Sequence, residues 1–440
     1  MRTARVTVFL GAPLAVLLLG NLARADALAR LQPDQLEAVH RAVRALRSDW
    51  RKLDRPGPYR DYRANLHVHS ALSHDSRGTI AEIVAAARAA CTRVLLFTEH
   101  PADHYDFYKD GHRGTRDGVM LIPGAETEGF LAFPTHSLRG LATGSPQEFC
   151  DLVRRRGGLV FLSHLEERMD WDVRGMTGVE IYNTHANFKD EKNLIKALRN
   201  PLWLIRSGGL FRQYPQEAFS ALQDYPADYL RRWDQLCARA PHTGVAANDS
   251  HQNVGLVVRL LAQDKVRLED ALGKKLVELD AGLLPPLEAL RKGKKPGDVL
   301  FRLCLDAYEN SLRHVGTHLL LKELSEKAVW EALEAGRAFV AFDWLADASG
   351  FDFAAQSGSR RFEMGSRLRF SQDLTVLGRA PLPGRWKLFR NGKSVAESTG
   401  REFRFPVAEP GVYRVEVWLK VASEDKIWIL SNSLYVRPRS

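Results

Sequence analysis

Residues 65–70 read Asn65-Leu66-His67-Val68-His69-Ser70, and Ser73-His74-Asp75-Ser76 follows within a few positions. Side chains alternate faces along an extended segment, so His67 and His69 point the same way. His74 or Asp75 then returns a third polar side chain on the loop that follows. Two imidazoles and a further donor suit a divalent cation better than an apolar core. The question becomes whether the rest of the chain supplies more ligands.

Downstream, helical and short apolar patterns alternate. An Ala-rich helix from Thr79 to Ala90 places Ile80, Ile83, Val84 and Ala87 on one face. The strand Val94-Leu95-Leu96-Phe97 ends at Thr98-Glu99-His100, and Val119-Met120-Leu121-Ile122 ends at Pro123-Gly124-Ala125-Glu126. Leu159-Val160-Phe161-Leu162 ends at Ser163-His164, and Gly178-Val179-Glu180-Ile181 ends at Tyr182-Asn183. Thr243-Gly244-Val245-Ala246-Ala247 ends at Asn248-Asp249-Ser250-His251. Continuous apolar strands separated by helices predict a buried parallel sheet or barrel of the α/β class. Polar residues recur at the C-terminal strand ends, which meet at one rim in such a barrel. His67, His69, Asp75 or His74, His100, Glu126, His136, His164, Asp249 and His251 therefore converge. That donor set suits Zn²⁺, Mn²⁺ or Fe²⁺ and exceeds the needs of one ion, so two or three are expected.

Other histidines read differently. His185 and His242, at the borders of a helical, aromatic insertion at about 185–240, are expected to be surface or wall residues. His314 and His318 have i, i+4 spacing, but Gly316 lies between them and no Glu follows the first, so a structural role is expected. Arg77 and Arg113 lie on rim loops as candidate phosphate contacts.

The chain has 440 residues, 45% apolar and 26% charged, as expected of a soluble globular protein of more than one domain. Arg2 and Arg5, the apolar run Val6 to Gly20 and Ala23-Arg24-Ala25 form a signal-peptide pattern over residues 1–25. Cleavage removes three arginines and no acid, lowering the net charge from +10 to +7. That surplus makes no case for nucleic acid, and no other segment is long and apolar enough to span a membrane. Cys91, Cys150, Cys237 and Cys304 are expected to be buried free thiols. The expected organisation is an N-terminal helix over 26–60, a barrel over 61–262, a helical extension over 263–350 and a β-rich domain over 351–440. Asn391-Gly392 marks a hairpin in the last of these, which reads as an antiparallel β-sandwich-like unit.

The His-x-His-Ser motif at His67, Thr98-Glu99-His100, Gly124-Ala125-Glu126, Ser163-His164, Gly178-Val179-Glu180-Ile181-Tyr182-Asn183 and Asn248-Asp249-Ser250-His251 together resemble the PHP superfamily, named for polymerase and histidinol phosphatase. The resemblance covers about residues 62–260. It implies a distorted (β/α)7 barrel with a trinuclear metal centre. By motif, His67 and His69 would share one metal with Glu126 and Asp249. Glu126 would bridge to a second, held by His136 and His164, and Asp75, His100 and His251 would hold the third. Ser73-His74-Asp75 stands where many members have Ser-Asp-Gly, so either residue can be the ligand. Thr98-Glu99-His100 replaces the commoner Thr-Asp-His. The export signal and β-rich tail also resemble the carbaryl-hydrolase-like branch. The expected function is a periplasmic, metal-dependent phosphoesterase that releases phosphate from small phosphorylated compounds by a metal-activated hydroxide. Asp249 and His251 would orient the nucleophile or protonate the leaving group. The alternatives are a carboxyl or carbamate ester hydrolase using the same site, and a non-catalytic metal-binding envelope protein.

Overall fold

A computed structural model describes residues 26–283 and 288–439. The signal-peptide pattern and Pro285-Pro286 lie outside the described residues. Four strands begin the core: β1 (Arg60–Val68), β2 (Val94–Phe97), β3 (Gly114–Arg116) and β4 (Val119–Ile122). β1, β2 and β4 are parallel, and β3 returns antiparallel on β4. The helix Ile80–Ala89 joins β1 to β2. Thr79 and Glu82 close a capping box at its N-terminus, and Ile83, Val84 and Ala87 are buried.

A separate five-stranded sheet holds β5 (Ala125–Thr127), β6 (Phe130–Phe133), β7 (Leu159–Leu162), β8 (Gly178–Asn183) and β9 (Thr243–Ala247), in that order. Here β7, β8 and β9 are parallel, whereas β5 and β6 are antiparallel to their neighbours. The two sheets touch through single bridges at the C-terminal ends of β1 and β2, Val68 with Ser250 and Glu99 with Ala125. The described strands therefore form a mixed α/β structure without closing into the expected (β/α)7 barrel. One break lies at Pro123-Gly124, between β4 and β5. Proline lacks the amide donor a central ladder needs. Gly124 lies against the Phe133 ring, where a Cβ would meet Cδ1 at 2.4 Å. Even so, the C-terminal ends of β1, β2, β7 and β9 and the short β5 meet on one side.

The segment 263–350 corrects the expectation of a helical extension. β10 (Gly255–Leu260), β11 (Lys265–Asp270), β12 (Lys275–Asp280) and β13 (Val299–Cys304) form an antiparallel sheet. The chain then returns to the first sheet through the helix Tyr308–His314 and β14 (Gly316–Leu321), which pairs antiparallel with β1. After the helix Glu326–Ala335, β15 (Ala338–Ala341) pairs with β14 and with the C-terminal strand Glu424–Ser431. The β-rich tail thus continues the large sheet, and one apolar cluster includes both Leu162 and Val179 and the tail residues Val417 and Trp428. Arg414 of the tail is buried and holds Asp234 through two contacts of 2.8 Å. The hairpin forms as predicted: Asn391 and Gly392 have φ of 48° and 76° between the strands Thr375–Arg390 and Lys393–Pro406.

The insertion is helical, with Thr184–Asp190, Lys192–Leu198, Pro201–Gln213, Pro215–Ser220 and Ala227–Arg239. The middle helices share an apolar cluster with β10, β11 and β13. The N-terminal helix runs Pro33–Asp49 and buries Leu36 and Val43. All four cysteines are free; Cys150 and Cys237 are buried, whereas Cys91 is exposed and Cys304 is half-buried. Among the described residues no helix is long and apolar enough to cross a membrane.

Candidate metal centre

Eight of the nine expected side chains come together where the two sheets meet. His67 and His69, two positions apart from β1 onward, are fully buried. His67 Nε2 lies 3.2 Å from both Glu126 Oε2 and Asp249 Oδ1. His69 Nε2 lies 3.7 Å and 3.5 Å from the same two oxygens. On the next side, Asp75 Oδ2 lies 3.4 Å from His100 Nε2 and 3.3 Å from His251 Nε2. Beyond Glu126, His164 Nε2 is 3.0 Å from Glu126 Oε1 and 3.6 Å from Asp249 Oδ2. Two groups of four can each offer donor atoms within 4.8 Å of one another. One is His67, His69, Glu126 and Asp249; the other is His69, Asp75, His100 and His251. His164, Glu166 and Glu167 form a smaller group of three, but Glu167 is engaged by Lys189 at 2.6 Å.

Of the two candidates on the first loop, the structure brings Asp75 into the cluster. His74 is exposed, with its ring 5.1 Å from that of His100. His136 is not brought in: it is exposed after Pro134, and its Nδ1 lies 2.9 Å from the Thr135 hydroxyl. β6 turns antiparallel onto β7 at that point, which carries residues beyond Phe133 away from the rim. His185 stands on the His164 side instead, its Nδ1 3.6 Å from Asp249 Oδ2. From sequence, His185 is expected among surface or wall residues because it lies at the border of the helical insertion. Arg113 is turned to Glu326 at 3.0 Å, and Arg77 is exposed and donates to the Ser76 carbonyl at 2.8 Å. His314 and His318 lie outside the cluster. His318 bridges Asp61 and Asp343, and His314 lies between Tyr182 and Ser220.

A shell of buried groups fixes these ligands. Glu180, fully buried in β8, contacts His67 Nδ1 at 2.7 Å and accepts from the His164 amide at 2.8 Å and Asn183 Nδ2 at 3.0 Å. His67 therefore presents Nε2 to the cluster, with its tautomer set by a carboxylate behind it. Glu99 accepts from the Ser70 and Ser73 hydroxyls at 2.6 Å each, and Ser73 Oγ lies 3.1 Å from His69 Nδ1. The Tyr308 hydroxyl donates to the His69 carbonyl at 2.7 Å. A sequence signal for Glu180 exists: it is the one charged residue in the apolar run of β8. Glu99 is likewise a buried acid flanked by other candidate residues, whereas Tyr308 comes from far along the chain and gives no local cue.

Backbone and charge both mark the site. His164 and Asp249 adopt left-handed φ of 44° and 52°, an uncommon and strained conformation for residues other than glycine. Burial works against charging His67, but Asp249, Glu126 and Glu180 outweigh it and hold the imidazole well above its ordinary value. Likewise, burial opposes the proton on His251, while Asp75 and Asp249 lift it to about 9. Burial and the neighbouring His251 press His69 down to about 3, leaving it a neutral donor. Against their burial, Asp249 and Glu126 are held below the ordinary carboxylate range, chiefly by His67. An array that gathers protons on histidines flanked by carboxylates also attracts a dication.

The fit to a metal rests on atoms with no hydrogen bond. His69 Nε2, Asp75 Oδ1, Asp249 Oδ1 and His251 Nε2 are buried without a hydrogen bond. Buried polar atoms are ordinarily paired, so four unpaired donors converging in one cluster indicate a shared ligand. Imidazole nitrogen and carboxylate oxygen are the donors a divalent cation takes.

No family model matches this sequence, and no curated protein matches it. Among solved structures, the chain is similar to a two-domain protein from Bacteroides vulgatus described as containing a predicted PHP-like metal-dependent phosphoesterase. The two are 15% identical, the similarity covers 87% of this chain and 98% of that one, and the TM-score is 0.35.

Proposed function

We propose that this protein is a metal-dependent phosphoesterase of the PHP kind, holding two or three divalent ions and releasing phosphate from small phosphorylated compounds. The observation that carries the reading is the pair of four-residue ligand groups that share His69. Their free donors are buried, and Glu126 and Asp249 each lie within reach of more than one histidine. His67, His69, Glu126 and Asp249 would hold one ion, and His69 or Asp75 with His100 and His251 a second. His164, with His185 in the place expected for His136, supplies donors for a third. When bound, such ions supply Lewis acidity toward the ester oxygens and lower the pKa of a water.

The chain's own residues orient the donor atoms. His251 carries its Nδ1 toward the Asp249 carbonyl at 3.0 Å, which leaves Nε2 to face the site and the cavity beyond. With Nδ1 engaged there, Nε2 is the atom that His251 would offer to an ion. Asp249 reaches His67, His69, His164 and His185 with one carboxylate and so aligns the whole array. Residues 1–25 direct the protein out of the cytoplasm, toward the periplasm, and the substrate is a small molecule rather than a nucleic acid.

A second reading, hydrolysis of carboxyl or carbamate esters at the same site, is favoured by one observation. Among the described residues no lysine or arginine lines the cavity beside the centre to meet a phosphate. A panel of p-nitrophenyl phosphate, a phosphodiester, acetate and carbamate, assayed with added Mn²⁺ or Zn²⁺, decides between them. Metal-dependent release from the phosphate ester, lost in His67→Ala, is expected. Turnover confined to the acetate or carbamate overturns the phosphoesterase reading.

A further inference from the structure

The centre opens at one end into a cavity of about 260 Å³ roofed by the helical insertion. Asp75, Asp249 and His251 stand at its polar end. Its walls are Phe188, Leu198, Phe211, Ala218, Phe219 and Leu305. These come from four insertion helices and from the end of β13, so the insertion and the antiparallel sheet together shape the space. Its size falls just below the usual range for small-molecule pockets, and its apolar walls are ordinary for them.

The polar side chains among the lining are largely engaged by the protein itself. Asn253 donates its side-chain amide to the Asp75 carbonyl at 3.1 Å, and Asn248 donates to the Val315 carbonyl at 2.8 Å while its Oδ1 keeps no hydrogen bond. Asp306 accepts the backbone amides of Asn253 at 2.8 Å and Val254 at 3.0 Å. Ser311 is paired with Ser250 at 2.6 Å. A sugar or nucleoside placed here would bury most of its hydroxyls against Phe and Leu, with Asn248 Oδ1 as one free acceptor, which is unfavourable. Among the described residues no lysine or arginine lines the cavity to hold a second anionic group. An apolar chain or ring meets neither obstacle.

We infer that the substrate of this centre is amphipathic: an ester whose reacting head lies at Asp75, Asp249 and His251 and whose alkyl or aryl group fills the Phe211–Phe219 cavity. The inference rests on the hydrolytic reading of the centre and names the substrate class for it. The insertion is then a specificity element, with its half-buried residues Phe188, Leu198 and Ala218 facing the apolar group rather than solvent alone.

Alkyl phosphonates from methyl to octyl, titrated calorimetrically into the metal-loaded full chain, test the cavity without turnover. Affinity is expected to rise about fourfold per added methylene until the cavity is full. An affinity independent of chain length overturns the proposal. Ala218→Phe narrows the cavity and should cut the octyl-to-methyl affinity ratio at least about tenfold. Leu305→Asn, a polar change of similar size, should lower the same ratio and serves if the first variant fails to fold. Ratios unchanged in a folded variant also overturn the proposal. Turnover of the matching alkyl phosphates separates the two readings. Hydrolysis with no chain-length dependence removes the cavity assignment and leaves the phosphoesterase standing. Length-dependent phosphonate binding with no hydrolysis of any phosphate supports the cavity and removes the phosphoesterase.

Discussion

Glu180→Gln changes one oxygen to nitrogen at a site with no slack. Glu180 is fully buried, 2.7 Å from His67 Nδ1 through one oxygen, while the other accepts from the His164 amide and Asn183 Nδ2. A glutamine has only one acceptor oxygen to share between these sides. If its oxygen faces His67, its amide protons meet two donors and leave a buried conflict of about 1–3 kcal/mol. If it is flipped, its amide faces His67 Nδ1, which must then accept. The imidazole proton moves to Nε2, the atom 3.2 Å from Glu126 and Asp249 that would hold the ion. Loss of a carboxylate behind a ligating histidine weakens metal binding about 10- to 100-fold, or about 1.4–2.7 kcal/mol. The assay is a competition titration of metal-stripped wild type and variant against a chelating dye, with urea unfolding alongside to establish that the variant is folded. A folded Glu180→Gln protein whose metal affinity stays within about twofold of wild type refutes the assignment of Glu180 as the group that orients His67.

Three further outcomes follow from the geometry. Asp75→Ala should remove bound metal and at least about tenfold of activity, while His74→Ala changes neither, as read by elemental analysis and turnover on the same preparations. His136→Ala should be silent and His185→Ala should lower metal content or rate; the reverse pattern would restore His136 as the ligand. His318→Ala should cost about 3 kcal/mol at pH 6 by leaving Asp61 and Asp343 buried without it. Burial opposes the charge on His318, but these two carboxylates lift it to about 10. Its folded value is thus raised, so the stabilisation is complete below the unfolded value of about 6.5 and lost as pH rises through 10. Urea midpoints of the two proteins should accordingly converge between pH 6.5 and 10, and a gap that widens over that range would contradict the ion-pair role.

Local pattern carries much of the site. His67, His100, Glu126, His164, Asp249 and His251 are recognisable because each stands at or just beyond the C-terminal end of a strand, and chain polarity alone sends such ends to one side. His136 breaks the rule, since it follows a strand that runs antiparallel to its neighbours, and no local feature reports the direction of pairing. His185 belongs to the opposite case, a ligand candidate carried in by the first turn of an inserted helix. The four-stranded unit was open to a period-two reading. Lys265-Val266-Arg267-Leu268 alternates charge with buried apolar residues, yet its high charge density gives the segment the look of an exposed helix. Closure of a barrel is beyond any local signal, because it depends on edge pairing between β4, β5 and β9 and their distant neighbours. The continuation of the large sheet into the tail is hidden for the same reason. It depends on β15 pairing with Glu424–Ser431, some ninety residues later.

Everything proposed for the centre depends on how many cations it holds. Elemental analysis of the purified full chain, reconstituted with Mn²⁺ or Zn²⁺ and freed of loosely bound ions, measures that number directly. Two or three divalent ions per chain, falling in His67→Ala and Asp249→Asn, is the predicted result. Fewer than two per wild-type chain, in protein shown to be folded, would contradict a multinuclear centre at His67, His69, Asp75, Glu126 and Asp249.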